Sequence, residues 1–296
     1  MKTIVIGGGI AGLSYALYHP EATVFTDKIG GQFSAPFQLG PKYLHATKET
    51  EQFLKDIKTT VPRKTIKIGF YIDGKISATN TEENRKQYFE KTRGVSGGVY
   101  RSAMSGGDSE FEAFDIDAES LVSFLYGAVQ QQVVVDKISF VNLKEKTVQS
   151  NNDDILSYDK LVICIPRPAF YKMSGLESTA DMFFKSYPTT FIKAKNLPMV
   201  LRGSEEDFKK YDYVYFSDPV LMFHRITRCP DYYAVEIKGD DPGKYEFEYD
   251  RFVLKVGQLV EREDVIEFPP EVEFFGRYAE WRHSIKTKEL VERLLK

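Results

Sequence analysis

Apolar side chains come along this chain in short runs punctuated by glycine, proline and charge, and the spacing within each run indicates the element it builds. Residues 2–6 form an apolar run that ends in glycines, and residues 11–18 follow with the small and apolar side chains of a helix packed closely on a sheet. Pro20 stops that helix, and the β-branched and aromatic stretch 22–26 predicts a second strand, so the chain opens as a parallel strand, helix, strand unit. Residues 47–57 set Phe53, Leu54 and Ile57 among charges, which predicts a surface helix capped by Thr47 with Thr50 and Glu51 in its first turn. In 66–76 two apolar runs flank Asp73-Gly74, the signal of a tight hairpin.

Glycine and serine crowd residues 94–109, which predicts a functional loop of the kind that acts as a lid. A helix follows at 118–129. Residues 133–149 and 155–165 read as strands about the polar turn 150–154, with Pro166 ending the second and its apolar stretch 161–165 buried within a sheet. Aromatic and β-branched runs across 189–237 predict an antiparallel sheet, 251–260 a helix, 272–275 a strand meeting Gly276, and 287–295 a closing helix.

The bulk numbers narrow the class. A chain of 296 residues that is 42% hydrophobic and 14% aromatic can bury one large domain or two intertwined ones. Its 40 Lys and Arg against 43 Asp and Glu are spread along the chain, a net charge of -3 with no electrostatic footprint for nucleic acid. Cys164 and Cys229 lie far apart, which argues against a disulfide framework or a metal cluster and for a reducing, cytoplasmic compartment. Glycines interrupt the apolar start as a signal-peptide core, and no later run reaches the ~18 residues of a membrane span. His19, His224 and His283 lack metal-ligand spacing, so no metal is expected.

The sharpest chemical signal is Gly7-Gly8-Gly9-Ile10-Ala11-Gly12 between the first strand and the first helix, with Ala16 at the close-packing position. In that context Gly7 allows a tight turn, Gly9 lets the backbone approach a pyrophosphate, and Gly12 lets helix pack on strand. The helix N-terminus supplies free N–H groups and the positive end of its dipole. Such a dinucleotide loop expects an acid at the end of the second strand to hold ribose hydroxyls; Thr26 stands there, with Asp27 one position later. Both are candidates for part of that contact. Gly30-Gly31-Gln32 then follows directly, a doublet that marks a turn or a close backbone approach.

The first loop with this doublet resembles the FAD-dependent amine oxidase and UDP-galactopyranose mutase superfamily of flavoproteins. The resemblance implies FAD as cofactor, with the doublet passing close to its ribityl-diphosphate arm. Val133 to Ile138 is similar to the family strand whose backbone meets adenine, Val135 being the matching position, and Tyr158 to Pro166 to the strand that returns to the FAD domain. Phe275-Gly276-Arg277 is similar to the family's glycine-arginine motif, which implies a second FAD contact with the Arg277 guanidinium on diphosphate. The stretches 213–218 and 223–227 resemble a mutase segment in which an arginine faces substrate. Arg225 is then the candidate substrate anchor, beside Tyr215. His45 lies where mutases carry a histidine-containing loop, and is the candidate acid or base, although Lys42 occupies the position of the family's first histidine.

The resemblance implies an α/β flavoprotein: an FAD-binding Rossmann-like domain from 1–60, 110–170 and 257–296, and a substrate domain with a mixed or antiparallel sheet from 61–109 and 171–256. Three readings stay open for a small-molecule substrate. One is an FAD-dependent oxidoreductase, the second a non-redox UDP-sugar mutase, the third a flavin-binding protein without catalysis.

Overall fold

The computed structural model describes residues 1–34, 42–93, 109–177, 186–198, 201, 204–238, 249–259, 266–282 and 285–296. Segment 94–108, Gly40, Pro41 and His283 lie outside them. Two compact units divide the chain: Met1–Arg63, Phe114–Lys185 and Glu261–Lys296 form the first, Lys64–Ala113 and Ser186–Val260 the second. Residues 171–177, expected in the second domain, group with the first.

The chain runs β1 (Thr3–Ile6), α1 (Ile10–Tyr18), β2 (Ala22–Phe25), β3 (Leu44–His45), α2 (Lys48–Asp56), β4 (Arg63–Ile72) and β5 (Lys75–Ser77). It continues with α3 (Glu82–Arg93), β6 (Glu110–Phe114), α4 (Ala118–Val129), β7 (Val133–Val134), β8 (Ile138–Asn142), β9 (Thr147–Ser150), β10 (Ile155–Ser157), β11 (Lys160–Ile163) and α5 (Arg167–Met173). Then come β12 (Ser186–Ala194), α6 (Glu205–Phe208), β13 (Tyr213–Phe216), β14 (Phe223–Arg228), β15 (Tyr233–Lys238), β16 (Tyr249–Leu259), β17 (Val272–Phe274) and α7 (Thr287–Leu294).

In the first unit a parallel sheet of order β17-β11-β1-β2-β7 forms the centre. All four residues of β1 are buried, as a strand covered on both faces must be. Val5 lies in one core cluster with Leu13 of α1, Phe53 of α2, Leu125 of α4 and Val291 of α7. Ile4 and Ile6 lie in a second cluster, with Phe170 and Tyr171 of α5 and the apolar side of the antiparallel trio β10-β9-β8. Each such buried side chain contributes about 1.5–3 kcal/mol. Thr47 caps α2 reciprocally: its hydroxyl accepts from Thr50 N–H at 3.2 Å and the Thr50 hydroxyl accepts from Thr47 N–H at 2.8 Å. Asp117 caps α4 through Ser120 N–H at 2.8 Å.

The stretches 133–149 and 155–165 are not two long strands but five short ones. Asn142 breaks the first, its side-chain oxygen accepting from Lys144 N–H at 3.1 Å and Glu145 N–H at 3.0 Å in a local turn that competes with the ladder.

The second unit is built on a mixed sheet of order β16-β12-β15-β14-β13-β4-β6, with β5 hairpinned on β4. Asp73 (φ 49°) and Gly74 (φ 80°) both take left-handed backbone, the geometry a two-residue hairpin needs. β13 is parallel to β4 and antiparallel to β14. One face buries Val214, Phe216, Ile226 and Val235 with Phe208. Residues 251–260 were expected to be helical; of these, 251–259 instead form most of β16, paired with β12 from Ser186↔Leu259 to Ala194↔Tyr249, and residue 260 lies outside the described residues. Local pattern was ambiguous there, and a partner strand along the whole length decided it. α3 had no sequence signal, since charges surround its few apolar residues. Among the described residues no helix is long and apolar enough to cross a membrane.

Candidate functional site

The glycine loop of the first unit is built as a cradle. Gly7, at φ 116°, turns the chain off β1 and donates its N–H to Phe25 O at 2.9 Å. A Cβ on Gly12 would lie 1.9 Å from the Gly7 carbonyl oxygen, so helix and loop touch backbone to backbone. A Cβ on Gly9 would meet nothing within 4 Å. Gly9 is the N-cap of α1, no side chain caps that end and no acid sits in its first turn. The N–H groups of a first helical turn have no partner inside the helix, and here they open on free space with the positive end of the dipole behind them. The doublet folds onto the same place: Gly30 N–H donates to Gly8 O at 2.7 Å, and a Cβ on Gly31 would sit 3.5 Å from Gly9 Cα. Gln32 lies in the short helical turn Gly31–Phe33 that follows.

At the edge of the sheet beyond β2, Thr26 is buried beneath Gly8, whose Cβ would stand 2.9 Å from the threonine hydroxyl. That hydroxyl donates to Lys28 O at 2.9 Å and accepts from Lys28 N–H at 3.2 Å. Its single proton is therefore committed to a local turn. Asp27 is exposed, and Val135, just past β7, is 61% exposed on the same edge. Asp136 is held by Asn152 Nδ2 at 2.9 Å.

Gly276 (φ 109°) packs on the first turn of α1, where a Cβ would come within 2.8 Å of Ala11 Cβ. Its N–H donates to Glu280 Oε1 at 3.0 Å, and Glu280 also takes Arg293 Nη1 at 2.7 Å. Arg277 Nε donates to Ile285 O at 2.8 Å, which ties this turn to the start of α7. Cys164 follows β11 beside Gly7, its thiol pushed well above the usual range by burial and by Glu273 and Glu280. It is not a thiolate nucleophile.

His45 lies near the start of α7. Burial, then Lys286 and Lys288, lower its pKa to about 4, against a smaller opposing effect of Glu289. The imidazole is neutral at neutral pH and donates no proton as a general acid there. An NMR titration is expected to show its midpoint near pH 4; a midpoint in the ordinary histidine range would contradict this placement. The sign follows from linkage: the unfolded chain takes the proton first, so His45's contribution is present above its unfolded value and is lost as pH falls toward 4.

In the second unit Arg225 stands on β14 over the rings of Tyr213 and Tyr215, at 5.7 and 6.0 Å. Tyr215 is packed among Phe70, Tyr88 and Tyr213. A bulge between β14 and β15 sets two residues against one: Phe223 pairs with Ile237 and Arg225 with Glu236, leaving His224 as the extra residue. Both neighbours thus reach one carboxylate. Arg225 Nε donates to Glu236 Oε1 at 2.5 Å, Arg225 Nη2 reaches the same oxygen, and His224 Nε2 lies 3.3 Å from Oε2. Burial by itself would raise the Glu236 carboxyl; Arg225 and His224 outweigh it and hold it at about 2. Close by, the buried Lys91 ammonium of α3 donates to the carbonyls of Phe216, Asp218 and Phe223 at 2.7–2.8 Å. Glu236, Lys91 and the role of His224 escaped sequence reasoning. The signal for Glu236 was a charge inside the alternating strand Tyr233–Lys238.

No family model matches the chain, and no curated protein sequence matches it. Solved structures do. Reduced UDP-galactopyranose mutase superposes with a TM-score of 0.64 at 12% identity, covering 99% of this chain and 94% of that one. A fatty acid isomerase from P. acnes that produces CLA gives 0.65 at 11%, covering 99% and 98%. L-proline dehydrogenase from P. horikoshii gives 0.56 at 10%, covering 98% and 92%. At such identities the likeness is one of architecture alone, and the chain shares the fold of these solved structures over nearly its whole length.

Proposed function

We propose that the first unit binds FAD and that the protein is an FAD-dependent oxidoreductase acting on a small organic substrate. One observation carries the cofactor reading: the uncapped N-terminus of α1 opens on free space at Gly9 with the Gly30-Gly31 turn folded against it. A diphosphate fits that place, because unpaired backbone N–H groups and the helix dipole both favour an anion there. Val135 offers exposed apolar surface at the edge where an adenine would lie. Gly276 abuts the first turn of α1, and with Arg277, the next residue, it would supply the second contact.

When bound, the flavin supplies the hydride and electron chemistry; the protein contributes binding, orientation and electrostatics. The mutase reading rests on the Arg225 and Gly276-Arg277 segments, and two N–H groups of the Arg225 guanidinium are engaged by Glu236. This favours the redox reading.

The purified protein, or the apoprotein titrated with FAD, is expected to show a two-banded yellow flavin spectrum that bleaches on anaerobic addition of an oxidisable substrate such as an amine or amino acid. Failure to retain or take up FAD would sink the cofactor reading. Conversion of UDP-galactopyranose to the furanose by dithionite-reduced protein would replace the oxidoreductase reading with the mutase one.

A further inference from the structure

We infer that the backbone carbonyls of Phe216, Asp218 and Phe223 form a site for a primary ammonium, filled from within the chain by Lys91, and that this internal cation holds the β14 bulge that turns His224 and Arg225 onto one carboxylate. Every group involved belongs to the second unit, so the assignment is independent of the FAD reading. In α3, Asn84, Tyr88 and Lys91 recur at helical spacing and share one face. All three are buried, whereas Glu82, Glu83, Lys86, Gln87 and Glu90 are exposed. The face a helix buries is ordinarily apolar; this one carries an amide, a phenol and an ammonium. Each of them meets the facing ends of β13 and β14. Asn84 Oδ1 accepts from the Ser217 hydroxyl, and the Tyr88 ring stands edge-on to Tyr215 at 5.1 Å and to His224 at 6.4 Å. Lys91 Nζ donates to the three carbonyls at 2.7–2.8 Å. An ammonium has three donors and is tolerated in a buried place when they are used; three carbonyls match that number.

These carbonyls lie where the sheet is interrupted. The β13–β14 ladder pairs Tyr213↔Thr227, Val214↔Ile226 and Tyr215↔Arg225 and stops there, one residue before Phe216. On its other side β14 skips from Phe223↔Ile237 to Arg225↔Glu236. A bulge disrupts the ladder locally, and buried carbonyls there cost free energy unless another donor reaches them. Lys91 brings that donor from a helix. Without it the strand is free to relax toward regular pairing, which sets His224 opposite Glu236 and carries Arg225 to the other face, because side chains alternate along a strand.

The test follows the Arg225 Nε–H, which donates to Glu236 Oε1, by NMR of labelled protein. In wild type that signal is expected to be protected from solvent exchange. Lys91→Met keeps the apolar stem and removes the ammonium, and protection is expected to fall about tenfold or more, the scale of a lost charge-assisted hydrogen bond. Lys91→Ala is expected to lose it likewise and to regain it with n-propylammonium, which replaces the removed part of the side chain. Tetramethylammonium, with the same charge and no N–H, is expected to restore nothing. A Lys91 that merely stabilised the unit would lower the unfolding midpoint and leave Arg225 protected in the folded variant. An unprotected signal in wild type, unchanged protection in folded Lys91→Met, or recovery with tetramethylammonium equal to that with propylammonium overturns the inference. If circular dichroism finds the variants unfolded, propylammonium is expected to restore the fold of Lys91→Ala together with the Arg225 signal. Failure of propylammonium to restore that signal overturns the inference as well.

Discussion

Replacing Glu236 with alanine is expected to destabilise the second unit by about 3 kcal/mol, the lower end of the cost of stranding an ion-pair partner, because the Arg225 guanidinium left behind is only partly buried. Arg225 would lose the carboxylate held by its Nε and Nη2, and His224 the acceptor for Nε2. The lowered carboxyl gives an independent measure. A fall from 4.5 to about 2 corresponds to about 3 kcal/mol. Because the folded-state value is depressed, the unfolded chain protonates first; the contribution is complete above about pH 4.5 and is lost as pH falls toward about 2. Urea midpoints of wild type and Glu236→Ala should therefore converge across that acid window. The double replacement Arg225→Met with Glu236→Met should cost much less than Glu236→Ala, since no charge is then stranded. A single-variant loss below about 1 kcal/mol would mean the pair behaves like an exposed surface salt bridge.

Gly12→Ala and Gly9→Ala should separate the cradle's architecture from its ligand contact. At Gly12 the new methyl would meet the Gly7 carbonyl oxygen at 1.9 Å, so backbone must move, at or above the upper end of the roughly 1–3 kcal/mol typical of overpacking. The Gly7 turn would move with it, and FAD affinity should drop by more than about tenfold. At Gly9 the methyl meets no protein atom, and the backbone (φ −79°, ψ −175°) suits alanine. Stability should stay within about 0.5 kcal/mol of wild type, while FAD affinity falls, because the methyl fills the space proposed for diphosphate. If Gly9→Ala binds FAD as wild type does, the diphosphate does not lie over that helix end.

Legibility in the sequence followed the range of the forces involved. The opening strand, helix and second strand could be read because Gly7, Gly9 and Gly12 and the apolar run before them act within a dozen residues, as could the Thr47 cap and the Asp73-Gly74 turn. Residues 251–259 were misread because their local pattern allowed either element until β12 supplied a partner. The break between β8 and β9 came from the Asn142 side chain competing for the backbone, a turn that apolar spacing does not register.

The same boundary divides the site. By itself the sequence determined the glycine loop 7–12, since the turn at Gly7 and the approach of Gly12 to the Gly7 carbonyl lie within six residues of each other. Tertiary structure decided everything that depends on which distant groups meet. Burial with Lys286 and Lys288 makes His45 a neutral imidazole, and a one-residue bulge gives Arg225 to Glu236 along with His224. The physical reason is that charge, hydrogen-bond capacity and pKa are properties of a surrounding: that of His45 comes from Lys286 and Lys288 at the far end of the chain, and that of Arg225 from the pairing of neighbouring strands.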